Sequence, residues 1–135
     1  MMWSKFGVDL LSFLTYFVSG AIAIGIYTVI YTAITHHKEF ALIKAQNHAA
    51  AVALAGSLLG FVIALARLIE QAVSLGQFAL WAIVAIVVQL LAYGLVRLTF
   101  PKLSEHIANG ELPAATWLAG ASIAAGLLNA ACLSS

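Results

Sequence analysis

Residues 47–60 read Asn-His-Ala-Ala-Ala-Val-Ala-Leu-Ala-Gly-Ser-Leu-Leu-Gly, and they begin the second of four long apolar segments. Two helices that associate inside a membrane gain little from the hydrophobic effect, because lipid tails are as apolar as leucine. Small residues stabilise helix pairs there by letting two backbones approach closely. They recur in this segment at helical spacing, as Ala49, Ala53, Gly56, Gly60 and Ala64. We therefore expect a membrane-spanning helix that packs closely against a neighbour, in the same chain or in a second copy.

The composition of the chain is that of an integral membrane protein. Hydrophobic residues make up 64% and charged residues 8%, with a mean hydropathy of +1.06. A soluble domain devotes about a quarter of its residues to charge. The net charge of +1, without a cluster of lysine and arginine, excludes a nucleic-acid-binding surface. The lipid bilayer is therefore the expected surrounding of this chain.

Four segments are long enough to span a membrane, which takes about 20 apolar residues for a hydrocarbon core about 30 Å thick. They are residues 10–34, 48–66, 77–98 and 114–133. Backbone groups in lipid must be satisfied internally, so each span is expected to be a helix. The first is too long for the apolar part of a secretory signal and lacks a small-residue cleavage site, so we interpret it as a retained span. The sequence predicts an all-α polytopic protein with one domain, residues 1–135.

The distribution of basic residues predicts the orientation of the spans. Near the two longer loops lie Lys38, Lys44, Arg97 and Lys102, whereas the opposite side has Lys5 and Arg67. Lysine and arginine are enriched in cytoplasmic loops. We therefore expect both longer loops in the cytoplasm and both termini outside.

The chain also contains a weak internal repeat. A shift of 64 residues places Leu54-Ala55-Gly56 on Leu118-Ala119-Gly120 and Lys38 on Lys102. Loop and span lengths agree under the same shift. Each unit would hold two spans, so the copies would share one orientation, as parallel repeats do. The pattern predicts a duplicated helical hairpin, with residues 1–70 as the first unit and 71–135 as the second.

The two longer loops carry apolar residues at helical spacing. These are Phe40 and Ile43 in the first loop, and Leu103 and Ile107 in the second. Pro101 would stand in the first turn of the second helix, where its missing N–H is tolerated. The spacing favours short helices at the cytoplasmic interface of the membrane, with a solvated turn as the alternative.

Few polar side chains lie inside the spans, and each marks either a site or a contact between helices. The candidates are Gln89, Asn129, Ser57 and Ser122. Gln89 shares a helical face with alanines, and Asn129 shares one with Gly126. These faces could line a polar seam, but packing between helices is the favoured interpretation. Gly120 and Gly126 are both assigned to helix packing. Asn129 should lie about 10 Å from Gln89 in depth.

Metal or cofactor binding and enzymatic chemistry are not expected. The histidines are His36, His37, His48 and His106, none in a helical His-x-x-x-His pair, and Cys132 is the only cysteine. Asn47 is instead expected to cap the second span. The chain shows no Ser/His/Asp set, buried carboxylate pair or phosphate-binding glycine loop.

Several motifs resemble the YjfL-like family of bacterial inner-membrane proteins, a domain of unknown function. They are residues 47–60, Gln89-Leu-Leu-Ala-Tyr93, Arg97-Leu-Thr-Phe-Pro-Lys-Leu-Ser104 and Gly126-Leu-Leu-Asn-Ala-Ala-Cys132. The resemblance implies four spans, a duplicated two-span unit and an inner-membrane location. Relatives tend to lie in gene clusters with phage-shock-protein-A-like and glutathionylspermidine-synthase-like proteins, which implies a role in envelope maintenance or stress. Some relatives carry a proline late in span two, where residues 63–66 have none.

Two functional hypotheses follow. The first is a membrane-embedded interaction module whose cytoplasmic loops dock a peripheral membrane-remodelling protein through Lys38, Phe40, Lys44 and Lys102. The second is a channel or small-solute transporter, for ions or polyamines, that uses Gln89 and Asn129. Because four spans are too few to enclose a wide path, the second hypothesis requires a homo-oligomer.

Overall fold

Four long helices and two short ones make up the described part of the chain. The structure is a computed structural model, and it describes residues 2–35, 39–71, 74–100 and 102–133. In chain order the helices are α1 (Met2–Ile34), α2 (Glu39–Lys44), α3 (His48–Gln71), α4 (Leu75–Thr99), α5 (Leu103–Ala108) and α6 (Leu112–Cys132). α1, α3, α4 and α6 are long and apolar enough to cross a membrane. The predicted all-α fold with four spans is confirmed.

The helices extend beyond the predicted spans where side chains stabilise their ends. α3 continues to Gln71, so the turn before α4 is shorter than the sequence indicated. Arg67 Nη1 and Glu70 Oε2 lie 2.7 Å apart on the last turns of α3, an i,i+3 ion pair that favours helix. α4 begins after Ser74, whose hydroxyl accepts a hydrogen bond from the Gln77 amide at 3.1 Å. α3 is one continuous helix past residues 63–66.

α3 and α6 form the closest helix pair of the bundle, and glycines make this approach possible. A Cβ on Gly60 would lie 2.6 Å from the Ser122 carbonyl carbon, and one on Gly126 would lie 2.6 Å from the Gly60 carbonyl carbon. Gly56 faces Ala119, whose Cα would lie 2.5 Å from an added Cβ. We call these five residues the glycine seam. The close approach predicted for span two therefore lies within one chain.

The other small residues divide between the interior and the surface. Ala49, Ala53 and Ala64 on α3 are fully buried. Gly120 is exposed, and a Cβ there would meet no atom within 4 Å. Gly120 therefore lies away from the glycine seam, although it follows the same Leu-Ala pair as Gly56.

α1 joins the bundle through aromatic side chains. The ring of Tyr27 stacks on Phe61 of α3 with ring centres 4.6 Å apart. Tyr31 meets Tyr93 of α4 edge to face, and Tyr16 meets Phe78 at the start of α4. The side chains of residues 4–15 are exposed. α1 thus packs against the bundle from Tyr16 onwards.

The two short helices lie at the same end of the bundle, which we call the loop end, and the opposite end is the terminal end. α2 and α5 each have six residues, and their first residues are 64 positions apart. After α2, the Asn47 amide donates to the Leu42 carbonyl at 2.8 Å; after α5, the Glu111 amide donates to the His106 carbonyl at 2.9 Å. The residue before each donor has a positive φ, 66° and 79°. The two connections therefore have the same turn.

Candidate functional site

The Asn47 side chain connects the two halves of the loop end. Its Oδ1 accepts a hydrogen bond from the Ala50 amide at 3.0 Å, so it caps α3 as the sequence indicated. Its Nδ2 donates to the carbonyls of Ile107 and Ala108, each at 3.1 Å. These carbonyls lie at the end of α5, where a helix leaves acceptors unsatisfied. One carboxamide therefore begins α3 and holds α5 beside it.

α5 is anchored to the bundle by its apolar face. Leu103 and Ile107 share this face, as predicted, and both are buried. Their side chains pack into the helical core, so this face is directed to protein. Beside it, His106 Nδ1 lies 2.8 Å from Glu111 Oε2, and its ring meets Phe100 edge to face. His106 therefore contacts both the residue that follows α4 and the residue that precedes α6.

Three of the four predicted docking residues are exposed at this end. Phe40 is 55% exposed on α2, and Lys44 and Lys102 are exposed on α2 and immediately before α5. Lys38 lies outside the described residues. We call the surface formed by α2, α5 and the turns that follow them the loop-end platform. It presents an aromatic side chain and two cations on helices held together by Asn47.

A second group of polar residues lies in the centre of the bundle. A hydrogen bond joins the Tyr27 hydroxyl of α1 and the Ser57 hydroxyl of α3. Gln89 Nε2 of α4 donates to the Ser122 carbonyl of α6 at 3.1 Å. All four residues are buried, and we call them the central polar layer. Three of the predicted intramembrane residues therefore lie in contacts between helices.

Tyr27 is the member of this layer that sequence reasoning missed. The sequence does not distinguish Tyr27 from the other tyrosines of the first span, because a tyrosine in an apolar span suits helix packing and the membrane interface alike. The available signal was the i,i+4 spacing of Tyr27 and Tyr31, which places both hydroxyls on one face of α1.

The central polar layer retains unused hydrogen-bonding capacity. Within the described part of the chain, Gln89 Oε1 has no hydrogen-bond partner, although the Gln89 side chain is only 1% exposed. The Tyr93 hydroxyl, one turn along α4, is also buried without a partner. Such groups are costly in a medium that offers no water.

Asn129 lies in a different place from Gln89. It lines a groove of about 720 Å³ between α4 and α6, together with Gln77 and Cys132 at the terminal end. Its Nδ2 is buried and has no hydrogen-bond partner among the described residues. As the helical rise indicated, the two carboxamides of spans three and four do not form a common site.

Comparisons with known proteins agree with this architecture. The family model described as Domain of Unknown Function (DUF350) matches residues 5–133. The UPF0719 inner membrane protein YjfL of Escherichia coli strain K12 is 42% identical over 125 residues, which cover 93% of this chain and 95% of that protein. The protein of the same name from Escherichia coli O157:H7 gives the same values. No solved structure matches the chain. This chain, with its four apolar helices, therefore belongs to the DUF350 family of multi-pass inner-membrane proteins.

Proposed function

We propose that this protein is a membrane-embedded interaction module whose loop end docks a peripheral cytoplasmic protein. The observation that carries the proposal is the pair of hydrogen bonds from Asn47 to α5. Because they hold α5 beside the start of α3, and the Asn47 amide donates to Leu42 of α2, the loop-end platform is ordered before a partner arrives. A pre-ordered surface binds with less loss of conformational entropy.

The exposed chemistry of the platform favours a partner with an acidic surface. Phe40 supplies an exposed apolar anchor on α2, and Lys44 and Lys102 are exposed cations of the same platform. Apolar anchors and polar rims are typical of protein interfaces. Of the acidic residues of the platform, Glu111 is paired with His106, and Glu105 is exposed on α5. A membrane-remodelling protein of the envelope stress response is the class of partner that we propose.

The duplicated hairpin is part of this proposal. The two connections share helix length, turn hydrogen bonds and positive φ at a spacing of 64 residues. These features support two units, residues 1–70 and 71–135, in parallel orientation. With the basic residues of both loops, they favour a cytoplasmic loop end and external termini. α2 and α5 would then lie at the cytoplasmic interface.

Charge reversal on the platform tests the proposal. The protein would be extracted gently from its own membrane and analysed by native mass spectrometry. We expect a stoichiometric peripheral protein on the unaltered chain and its loss from Lys44→Glu combined with Lys102→Glu. Lys5→Glu, at the terminal end, is the matched control and should retain the partner. An unchanged complex in the platform variant would refute the proposal.

A second candidate function is an oligomeric channel or small-solute transporter for ions or polyamines. The specific observation in its favour is the unpartnered Gln89 Oε1 in the central polar layer. It requires a homo-oligomer, because four spans are too few to enclose a wide path. Flux of potassium or spermidine in proteoliposomes should fall in Gln89→Leu and persist in the exposed-site control Gln77→Leu. Absence of any flux would remove this candidate.

A further inference from the structure

The groove between α4 and α6 follows α4 for most of the length of that helix. Its lining extends along α4 from Gln77 to Leu95 and along α6 from Ala125 to Leu133. At 1.5 Å per residue, the α4 side covers about 27 Å, which approaches the hydrocarbon thickness of about 30 Å. A groove of this length is suited to an extended chain that lies parallel to the helices.

Polarity is distributed unevenly along the groove. Gln71, Gln77 and Asn129 lie at the terminal end, near the end of α3 and the beginning of α4. The α4 residues from mid-membrane to the loop end are apolar: Val88, Leu91, Ala92 and Leu95. A ligand that matches both regions has one polar head and a long apolar tail.

Within residues 39–71, 74–100 and 102–133, no residue that lines the groove is Asp, Glu, Lys or Arg. The neighbouring Arg67 and Glu70 are paired with each other. A charged head would therefore lose hydration without gaining a counter-ion. A neutral head with acceptor oxygens is favoured instead, because Asn129 lines the groove and its Nδ2 has no hydrogen-bond partner among the described residues.

We propose that this groove binds one neutral long-chain amphiphile, with an ester-type carbonyl at Asn129 and the chain along α4. Its volume of about 720 Å³ lies within the usual range for ligand pockets. The polar residues at one end of the groove and the apolar residues along the rest of it match the head and the single tail of such a molecule.

Alkylation of Cys132 reports directly on groove occupancy. This residue lines the groove and its thiol is exposed, and the chain has no other cysteine. The purified protein in nanodiscs would receive 1-monooleoylglycerol or 1-oleoyl-lysophosphatidic acid, which differ by one phosphate. We expect the neutral lipid to slow maleimide alkylation about fivefold, the effect of about one hydrogen bond, and the phosphate-bearing lipid to have little effect. Equal protection by both lipids, or none by either, would overturn the proposal.

Groove variants locate the protection. Ala125→Phe fills the groove and should abolish the effect of monooleoylglycerol, whereas Leu80→Phe, on a face of α4 outside the lining, should retain it. If Ala125→Phe does not fold, Asn129→Leu serves as the second variant. It should reduce protection to the level seen with the phosphate-bearing lipid. Full protection in Asn129→Leu, or in a folded Ala125→Phe, would contradict the assignment.

Discussion

α1 and α3 are both apolar spans, but they pack in opposite ways. In the most apolar part of α3, 56% of residues are buried inside the bundle, compared with 17% for α1. α3 is central because glycine and alanine let α6 approach its backbone. α1 lies outside and is attached by rings and one hydroxyl pair. Hydropathy therefore identifies the spans, whereas side-chain size decides which span occupies the centre.

Disruption of the glycine seam should have the largest effect. We expect Gly60→Leu to cost about 3 kcal/mol or more, because the added atoms would overlap the Ser122 carbonyl and neither backbone can move away cheaply. Gly25→Leu on α1 is the matched control, since a Cβ there meets nothing within 4 Å. Thermal unfolding in detergent measures both. Equal stability of the two variants would contradict the central position of α3.

Removal of the α1 attachment should have the next largest effect. Tyr27→Ala deletes a ring stacked on Phe61 and the partner of Ser57, and large core rings contribute about 3 kcal/mol. Phe13→Ala removes an exposed ring from the same helix and should change stability little. Protease accessibility of α1 together with a melting curve would show whether α1 separates while α3 and α6 remain paired.

Gln89→Leu tests the contact between α4 and α6. It removes the hydrogen bond to the Ser122 carbonyl, a contact worth up to about 2 kcal/mol in membranes. The loss should be smaller than for Tyr27→Ala because Leu restores apolar packing and also removes the unpartnered Oε1. Chemical unfolding in mixed micelles would measure it. A loss larger than that of Tyr27→Ala would show that α4 is held chiefly by this amide.

The smallest of these effects is expected at Asn47. Asn47→Ala should cost about 1 kcal/mol, the usual value for a helix cap, while releasing the end of α5. We expect faster hydrogen exchange in α5 and unchanged exchange in the glycine seam. Asn109→Ala, in the exposed turn after α5, provides the control. Unchanged exchange in α5 would show that its buried face alone holds it.

The sequence predicted the features that depend on residues close together in the chain. The four spans, the cap at Asn47 and the shared face of Leu103 and Ile107 follow from local composition and spacing, whereas the burial of that face in the protein core was not predicted. Even so, the repeated Leu-Ala-Gly illustrates the limit, because Gly56 is in the seam and Gly120 is exposed. The two Leu-Ala-Gly tripeptides are identical, and it is the position of the neighbouring helices that distinguishes their glycines.

Contacts between distant residues were not predictable from the sequence. Tyr27 and Ser57 are 30 residues apart, and Asn47 and Ile107 are 60 apart. Their pairing depends on the rotation of each helix about its axis, which a single apolar span does not specify, because all its faces are hydrophobic. The groove between α4 and α6 depends on the same rotations. Three residues of the central polar layer were therefore predicted, but Tyr27 and the pairing of the four residues were not.

Site-specific photo-crosslinking in the native membrane tests the docking function most directly. A photoreactive phenylalanine would replace Phe40 on the loop-end platform, or Leu10 near the terminal end, both exposed positions. We predict one discrete protein adduct from position 40, lost with Lys44→Glu and Lys102→Glu, and none from position 10. No adduct at position 40, or one that is insensitive to charge reversal, would contradict a docking role for the platform.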